Sequence, residues 1–355
     1  MQTLSTSDGD LEKAAAALAA GLLVAFPTET VYGLGADAFN PSALAKVFEA
    51  KNRPRFDPLI VHIAEMEALP RIVDTASLVS AARERLFILA ERLWPGPLTL
   101  VLPKQGELPG LATAGLATTA VRFPSHPVAQ RLIRLSTGAV AAPSANLFGQ
   151  LSPTRAQHVI SQLGEKVDFI IDGGKTQVGL ESTVLDLSGE RPAILRQGGV
   201  PREEIEALIG PVGFSTGFPA GLSSTAPEGS ERPLLPRLSP GQLKSHYAPR
   251  TPLVLYKLGE LASLPEAAGE GRLHFTLPLA NPGEAISGPG KENGGHPGTT
   301  KVLSETGNMV EAAANLFEML HELDGLGLRL IRAEEAPPAG LGEAINDRLR
   351  RAASR

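Results

Sequence analysis

Four stretches of the chain place cations, hydroxyls and amides beside apolar runs. KNRPRFDPLIVH (51–62) sets Lys51, Arg53 and Arg55 ahead of a β-branched run that ends in His62. Cations there complement a helix C-terminus or neutralise phosphate. FPTETVYGLGADA (26–38) puts Thr28, Glu29, Thr30 and Tyr32 just past the apolar run LLVAF. Open α/β sheets present ligand groups at such strand ends, and a hydroxyl-capped turn uses the same residues. In TTAVRFPSHP, alternation places Arg122 on one face with Ala120 and Thr118, and a half-buried guanidinium needs an anionic partner. APSANLFGQLSPT offers Ser144, Asn146 and Ser152 as caps or as donors to an anion. His62 suits either a hydrogen-bonded core position or a ligand contact.

Other motifs fail on spacing. GGKT (173–176) ends like a phosphate-binding P-loop, but Phe169 stands where that loop needs glycine. GLGADA (33–38) matches GxGxxA, yet PTETVY separates it from the preceding strand and the next helix begins only at Asn40. GLESTV lacks the glycine of a nucleophile elbow, Val184 standing in its place. Histidines at 62, 126, 158, 246, 274, 296 and 321 form no HxH, HxxxH or HExxH, so a dedicated zinc or iron site is not expected. Zero cysteines remove disulfides, thiolate nucleophiles and iron-sulfur clusters. Any metal is expected to arrive with a phosphate.

The elements that must hold these residues alternate. DLEKAAAALAAG (10–21) reads as a helix closed by Gly21, LLVAF as a strand, and NPSALAKVFEAK as a helix capped by Asn40 with Pro41 at its first position. DPLIVHI, PLTLVLP, TTAVRF, GAVAAP, KVDFIID, STVLDL and AILRQG read as strands. ASLVSAARERLFILAERLW, HPVAQRLIRLS, SPTRAQHVISQLG and PREEIEALIG read as helices among them. The pattern predicts an α/β or α+β layer with a mixed sheet over residues 1–210. A Gly, Pro and Ser-rich linker follows over 211–250. A smaller α/β domain over 251–355 is interrupted by ANPGEAISGPGKENGGHPGTT, expected to be a mobile loop.

With 355 residues, 43% of them hydrophobic, the chain can build two cores. No apolar run reaches the roughly 18 residues of a membrane span, and MQTLSTSDGD lacks the build of a signal peptide, so a cytoplasmic protein is expected. Up to residue 210 there are 19 Lys+Arg against 22 Asp+Glu, and 14 against 16 beyond it. A binder that acts by neutralising a nucleic-acid backbone is disfavoured.

Together, FPTETVYGLGADA, KNRPRFDPLIVHI, WPGPLTLVLP, AVRFPSHP, APSANLFGQLSPT and ESTVLDL resemble the YrdC-like domain of threonylcarbamoyl-AMP synthases. SPGQLKSHYAPRTPL resembles the linker and start of the extra C-terminal domain in the long form of that family. The resemblance implies a YrdC-like twisted mixed sheet flanked by helices, with a second, Rossmann-like α/β domain. It also implies a nucleotidyltransferase making L-threonylcarbamoyl-adenylate and pyrophosphate from L-threonine, bicarbonate and ATP. The product would serve N6-threonylcarbamoyladenosine formation beside the tRNA anticodon.

Carried over, the threonine site would be Thr30, His62, Arg122, the backbone at Ala142, and Ser182. The ATP site would be Lys51, Arg53, Asp57, Thr118, Ser144, Asn146, Ser152 and Arg196, with Tyr247 reaching in from the linker as part of a lid. Lys51 and Arg53 would neutralise polyphosphate, with Mg2+ sharing that role through the ATP phosphates. Position 57 is commonly Asn in the family, and Asp57 beside a triphosphate would need a cation between them. Implied partners are a threonylcarbamoyl-transferase complex and, weakly, tRNA. Competing readings are an RNA-binding module without adenylate-forming activity, an inactive paralogue, which would lack the KxR and SxN pair kept here, and a hydrogenase-maturation carbamoyltransferase, whose zinc fingers need the cysteines this chain lacks.

Overall fold

A computed structural model describes residues 1–215, 246–277 and 299–354. They divide into two units, Met1–Phe148 with Ser152–Gln242, and Gly149–Leu151 with Leu243–Arg355. The expected linker over 211–250 and the expected mobile loop lie largely outside the described residues.

The first unit runs β1 (Gln2–Leu4), α1 (Asp8–Ala19), β2 (Val24–Phe26), β3 (Gly33–Asp37), α2 (Pro41–Lys51), β4 (Ile60–Ile63), α3 (Ser80–Leu93), β5 (Leu98–Pro103) and β6 (Thr118–Arg122). It continues with α4 (Pro127–Leu135), β7 (Ala139–Ala141), α5 (Ala156–Leu163), β8 (Phe169–Ile171), β9 (Thr183–Asp186), β10 (Ala193–Arg196), α6 (Arg202–Ile209) and β11 (Gly213–Phe214). The strands form one 11-stranded mixed sheet in the order β1, β8, β2, β3, β7, β4, β6, β5, β9, β10, β11.

Alternation along the strands divides two cores. Val24 and Phe26 join Val140 and Ala142 under α1 and α4. Ala25, Leu34, Val61, Leu98 and Leu100 face the other way, against Leu44 and Val47 of α2, Leu86 and Leu89 of α3, Val159 of α5 and Ile205 of α6. Strands covered on both faces read as continuous apolar runs, as LLVAF does. The α1/α4 layer does not extend across the whole sheet. Beyond it, Ile60, Val101, Ala120, Val184 and Leu195, all from strands, form a small separate apolar patch. That patch is the floor of the polar site described below.

Local signals account for the helix that opens toward the site. Asn40 Oδ1 accepts from the N–H groups of Ser42 and Ala43, and Pro41 occupies the first turn of α2. At the other end Asn52 adopts left-handed φ/ψ of 52° and 40°, and Arg53 N–H returns to Phe48 O at 2.8 Å. This is a Schellman stop, with Asn filling the place usual for glycine. It turns the chain so that Lys51 and Arg53 both point inward.

Several elements differ from expectation, among them the short strand β11 inside the expected linker. GLGADA is the central strand β3, antiparallel to both β2 and β7. A Cβ on Gly35 would lie 2.8 Å from the Phe26 ring, so glycine here permits the cross-strand packing of a large aromatic. α5 begins at Ala156 rather than at Ser152, because the preceding residues are spent on loop bonds. Pro153 O accepts Tyr32 N–H, and Thr154 O accepts Thr176 N–H. The edge strand β1, parallel to β8, escaped the sequence reading since three residues carry no period.

The second unit contains β12 (Leu253–Tyr256), β13 (Glu270–His274), β14 (Thr300–Val302), α7 (Met309–Gly325), β15 (Leu330–Glu334) and α8 (Leu341–Ala353). Its sheet is parallel throughout, in the order β12, β15, β13, β14. Phe317, Leu320, Ile331, Ile345 and Leu349 are buried in it.

Candidate active site

Strand register builds a polar row across the middle of the sheet. His62 on β4 lies directly opposite Arg122 on β6, and Arg122 opposite Thr99 on β5. Directly opposed residues share a face, so all three stand on the side that carries the Ile60, Val101 and Ala120 floor. Thr99 Oγ1 lies 2.7 Å from Ser182 Oγ, which carries the row to the start of β9. Arg196 on β10 closes it, its Nη2 donating to Ser182 O at 3.0 Å and to Ser182 Oγ at 3.1 Å.

Each member is buried, and burial sets its charge. His62 Nδ1 lies 3.2 Å from Ile60 O. Its pKa is pulled down to about 3, first by burial and then by the Arg122 cation, so the imidazole is neutral at physiological pH. Arg122 pairs with the carboxylate of Glu29, with Nη2 to Oε1 at 2.7 Å and both side chains about 4% exposed or less. Its Nε donates weakly to Gly96 O at 3.4 Å.

The loop from β2 to β3 hangs beside this row. Thr28 Oγ1 donates to Val31 O at 2.7 Å and lies 2.8 Å from Thr30 Oγ1. A hydroxyl has one proton, so Thr30 donates to Thr28 and its own lone pairs are left to accept. Tyr32 N–H reaches Pro153 O and Ala145 N–H reaches Tyr32 O, binding this loop to that after β7. The Tyr32 hydroxyl donates to Gly174 O at 2.8 Å and accepts from Gly173 N–H, with its pKa pushed up to about 12 by burial. GGKT is thus a turn held by a tyrosine.

The KxR and SxN pairs form one cluster. Lys51 Nζ donates to the carbonyls of both Ser144 and Asn146, and Lys51 O accepts from Phe148 N–H. Ser144 follows Ala142, whose N–H donates to Ile60 O at 2.9 Å, so the lysine cluster adjoins the strand that carries His62. Burial first, then the neighbouring Arg53 charge, hold the Lys51 amine well below its ordinary pKa. Arg53 Nη2 donates to Pro58 O at 2.8 Å and pairs with Asp57 Oδ2 at 2.9 Å. The cation expected beside Asp57 is therefore Arg53 itself. Asn146 Nδ2 donates to Leu147 O, and Ser152 Oγ donates to the Glu181 carboxylate. Glu181 O accepts Gly199 N–H at 2.9 Å.

The first unit therefore gathers Thr30, Lys51, Arg53, Asp57, His62, Arg122, Ala142, Ser144, Asn146, Ser152, Ser182 and Arg196. Thr118 begins β6 on the face of Ala120 and Arg122 and is half-buried. Tyr247 belongs to the second unit. There it is buried at φ 60°, with its ring 5.7 Å from that of Phe317 and under the Arg348 guanidinium at 4.9 Å. Sequence reasoning placed Glu29 among the strand-end candidates without a specific role, and singled out neither Thr99 nor Glu181. Thr99 gives the clearest signal, as a hydroxyl at every-other-residue spacing within the apolar run PLTLVLP. Among the described residues no three His, Asp or Glu side chains gather to hold a metal ion, and no helix is long and apolar enough to cross a membrane.

The fold thus joins a mixed sheet, a lysine-clasped SxN loop and a buried row of His62, Arg122 and Thr99 in one unit. A family model described as "Telomere recombination", for the Sua5, YciO and YrdC group, matches residues 16–198. A second, "Threonylcarbamoyl-AMP synthase, C-terminal domain", matches residues 200–354. The chain is 40% identical over 354 residues to a threonylcarbamoyl-AMP synthase of Bacillus subtilis, covering 99% of this chain and 94% of that one. It is 40% identical over 332 residues to the Pyrococcus abyssi enzyme of the same name, covering 94% and 90%. The crystal structure of P. abyssi Sua5 complexed with L-threonine matches with a TM-score of 0.80 and 36% identity, covering 99% of this chain and 97% of that one. The chain belongs to the threonylcarbamoyl-AMP synthase family, adenylate-forming enzymes of the nucleotidyltransferase type.

Proposed function

We propose that this chain joins L-threonine, bicarbonate and ATP into L-threonylcarbamoyl-adenylate and releases pyrophosphate. The observation that carries the reading is a pair of buried cationic sites within one unit, Arg122 in the polar row and Lys51 with Arg53 at the end of α2, connected through the Ser144 loop that follows Ala142. One suits an amino-acid carboxylate and the other a polyphosphate. The crystal structure of the P. abyssi relative contains L-threonine, which fits the first assignment.

In this reading Arg122 binds the threonine carboxylate, while Thr30, neutral His62 and Ser182 meet its polar groups over the apolar floor. The carbamate formed from the amine and bicarbonate attacks the α-phosphorus of ATP. Negative charge then grows on the phosphate and on departing pyrophosphate, where Lys51, Arg53 and Arg196 stabilise it. Ser144, Asn146, Ser152 and Thr118 supply neutral donors around the nucleotide. Mg2+ comes with the ATP phosphates and shields their charge. The product suits a transferase complex that modifies tRNA to N6-threonylcarbamoyladenosine.

The test is release of pyrophosphate by the purified chain with ATP and Mg2+, with threonine and bicarbonate omitted in turn. Release that requires both, and that falls by about 100-fold in Arg53→Ala, is expected from loss of one preorganised charge contact. Release indifferent to either substrate contradicts the reading.

A further inference from the structure

We infer that Glu29 is the ammonium site for the amino-acid substrate and the acceptor of its proton; the inference rests on the threonine reading above. Glu29 is 2% exposed in the loop after β2. Its Oε1 lies 2.7 Å from Arg122 Nη2, but neither carboxylate oxygen receives a hydrogen bond of good geometry. An ionised carboxylate offers about four acceptor sites, and burying them unfilled is costly. The carboxylate balances the buried Arg122 charge, but its remaining acceptor capacity serves nothing else among the described residues. The backbone of Glu29 already serves the loop, its carbonyl accepting Val178 N–H at 2.7 Å.

The charged and titratable groups around the carboxylate leave it one natural complement. Arg122 faces it from β6, neutral His62 stands beside Arg122 on β4, and His126 caps α4 within its electrostatic reach. His126 Nδ1 is itself occupied, accepting Val128 N–H at 3.2 Å. A second anion on Arg122 alone would leave two carboxylates sharing one guanidinium. A zwitterion removes the conflict, because its ammonium stands one carbon from its carboxylate. The ammonium of a substrate whose carboxylate sits on Arg122 falls beside the carboxylate that touches the same guanidinium. The Arg122 and Glu29 pair is in this sense a template for an α-amino acid.

The same carboxylate solves a proton problem in the reaction. One N–H bond of R–NH3+ breaks, its electron pair stays on nitrogen, and the proton passes to a Glu29 oxygen, giving R–NH2 and a neutral carboxyl. The amine pair then attacks the bicarbonate carbon: a C–N bond forms, the C–OH bond of bicarbonate breaks, and the departing hydroxide takes the second amine proton as water, so that R–NH2 + HCO3− → R–NH–COO− + H2O. A protonated Glu29 no longer repels the carbamate anion, and it returns its proton to solvent after the product leaves.

Calorimetry with L-threonine and with 3-hydroxybutyrate, which keeps the carboxylate and hydroxyl but lacks the amine, separates this role from mere support of Arg122. Glu29→Gln is expected to weaken L-threonine by about tenfold or more, the loss of a charge-assisted contact, and to tighten 3-hydroxybutyrate because Arg122 loses a competing anion. Threonine-dependent adenylate formation should fall with it. Glu29→Asp, which keeps the charge, should keep the preference for L-threonine. Equal weakening of both ligands in Glu29→Gln, no change in either, or loss of the preference in Glu29→Asp overturns the inference. Wild-type protein that fails to bind L-threonine overturns the functional reading instead.

Discussion

Lys51 carries its amine where water scarcely reaches, between two backbone carbonyls and beside Arg53. A polyphosphate bound there favours the ammonium form that burial opposes, so ATP binding is expected to take up a proton and to weaken as pH rises through the free amine's lowered pKa. Binding enthalpies that vary with buffer ionisation heat in wild type, and not in Lys51→Met, would establish this. His62 acts in the other direction on stability. Its folded pKa, near 3, lies below the ordinary 6.5, so its contribution is fully present above about pH 6.5 and is lost as pH falls from there toward 3. Urea titrations of His62→Asn should show a shallower decline over that window than wild type, and parallel curves would contradict the assignment. Arg122, Lys51 and Arg53 were legible in the sequence because a cation next to an apolar run needs an explanation. Glu29 was visible only as one of several strand-end candidates and Glu181 not at all, since only the structure shows that they are buried against an arginine and a serine.

At the scale of elements, the site depends on backbones that approach closely. A Cβ on Gly198 would fall 2.3 Å from Glu181 O and 2.5 Å from Thr183 N, both rigid backbone atoms flanking Ser182. Gly198→Ala must push β9 and the loop after β10 apart, displacing Ser182 from Thr99 and Arg196. We expect a lower unfolding midpoint together with a raised KM for threonine, measurable by thermal unfolding and initial rates; an unchanged KM would mean that the row tolerates the shift. Most elements could be read from local chemistry, such as the Asn40 cap and the every-other-residue pattern of TTAVRF. β3 could not, because GLGADA resembles a GxGxxA motif and, once that is set aside, Gly33 and Gly35 carry no strand signal until the Phe26 ring is seen lying over them. Short-range pattern reports propensity, whereas that strand is fixed by a partner nine residues away, Phe26 to Gly35, across the sheet.

Across the whole molecule, the mixed 11-stranded sheet brings His62, Thr99 and Arg122 onto one face, and the parallel 4-stranded sheet belongs to a second unit with its own buried residues. Two α/β patterns were legible; the strand order was not, because pairs such as β5 with β9 join segments about eighty residues apart and leave no local trace. The central claim is that a carbamate, not the threonine carboxylate, attacks ATP. Incubating the protein with L-threonine, Mg2+, ATP and 13C-bicarbonate, then weighing the adenylate by mass spectrometry, tests it directly. The account predicts an adenylate that carries the bicarbonate carbon and is heavier by one mass unit than with unlabelled bicarbonate. An unlabelled threonyl-adenylate, or none while ATP and threonine both bind, would contradict it.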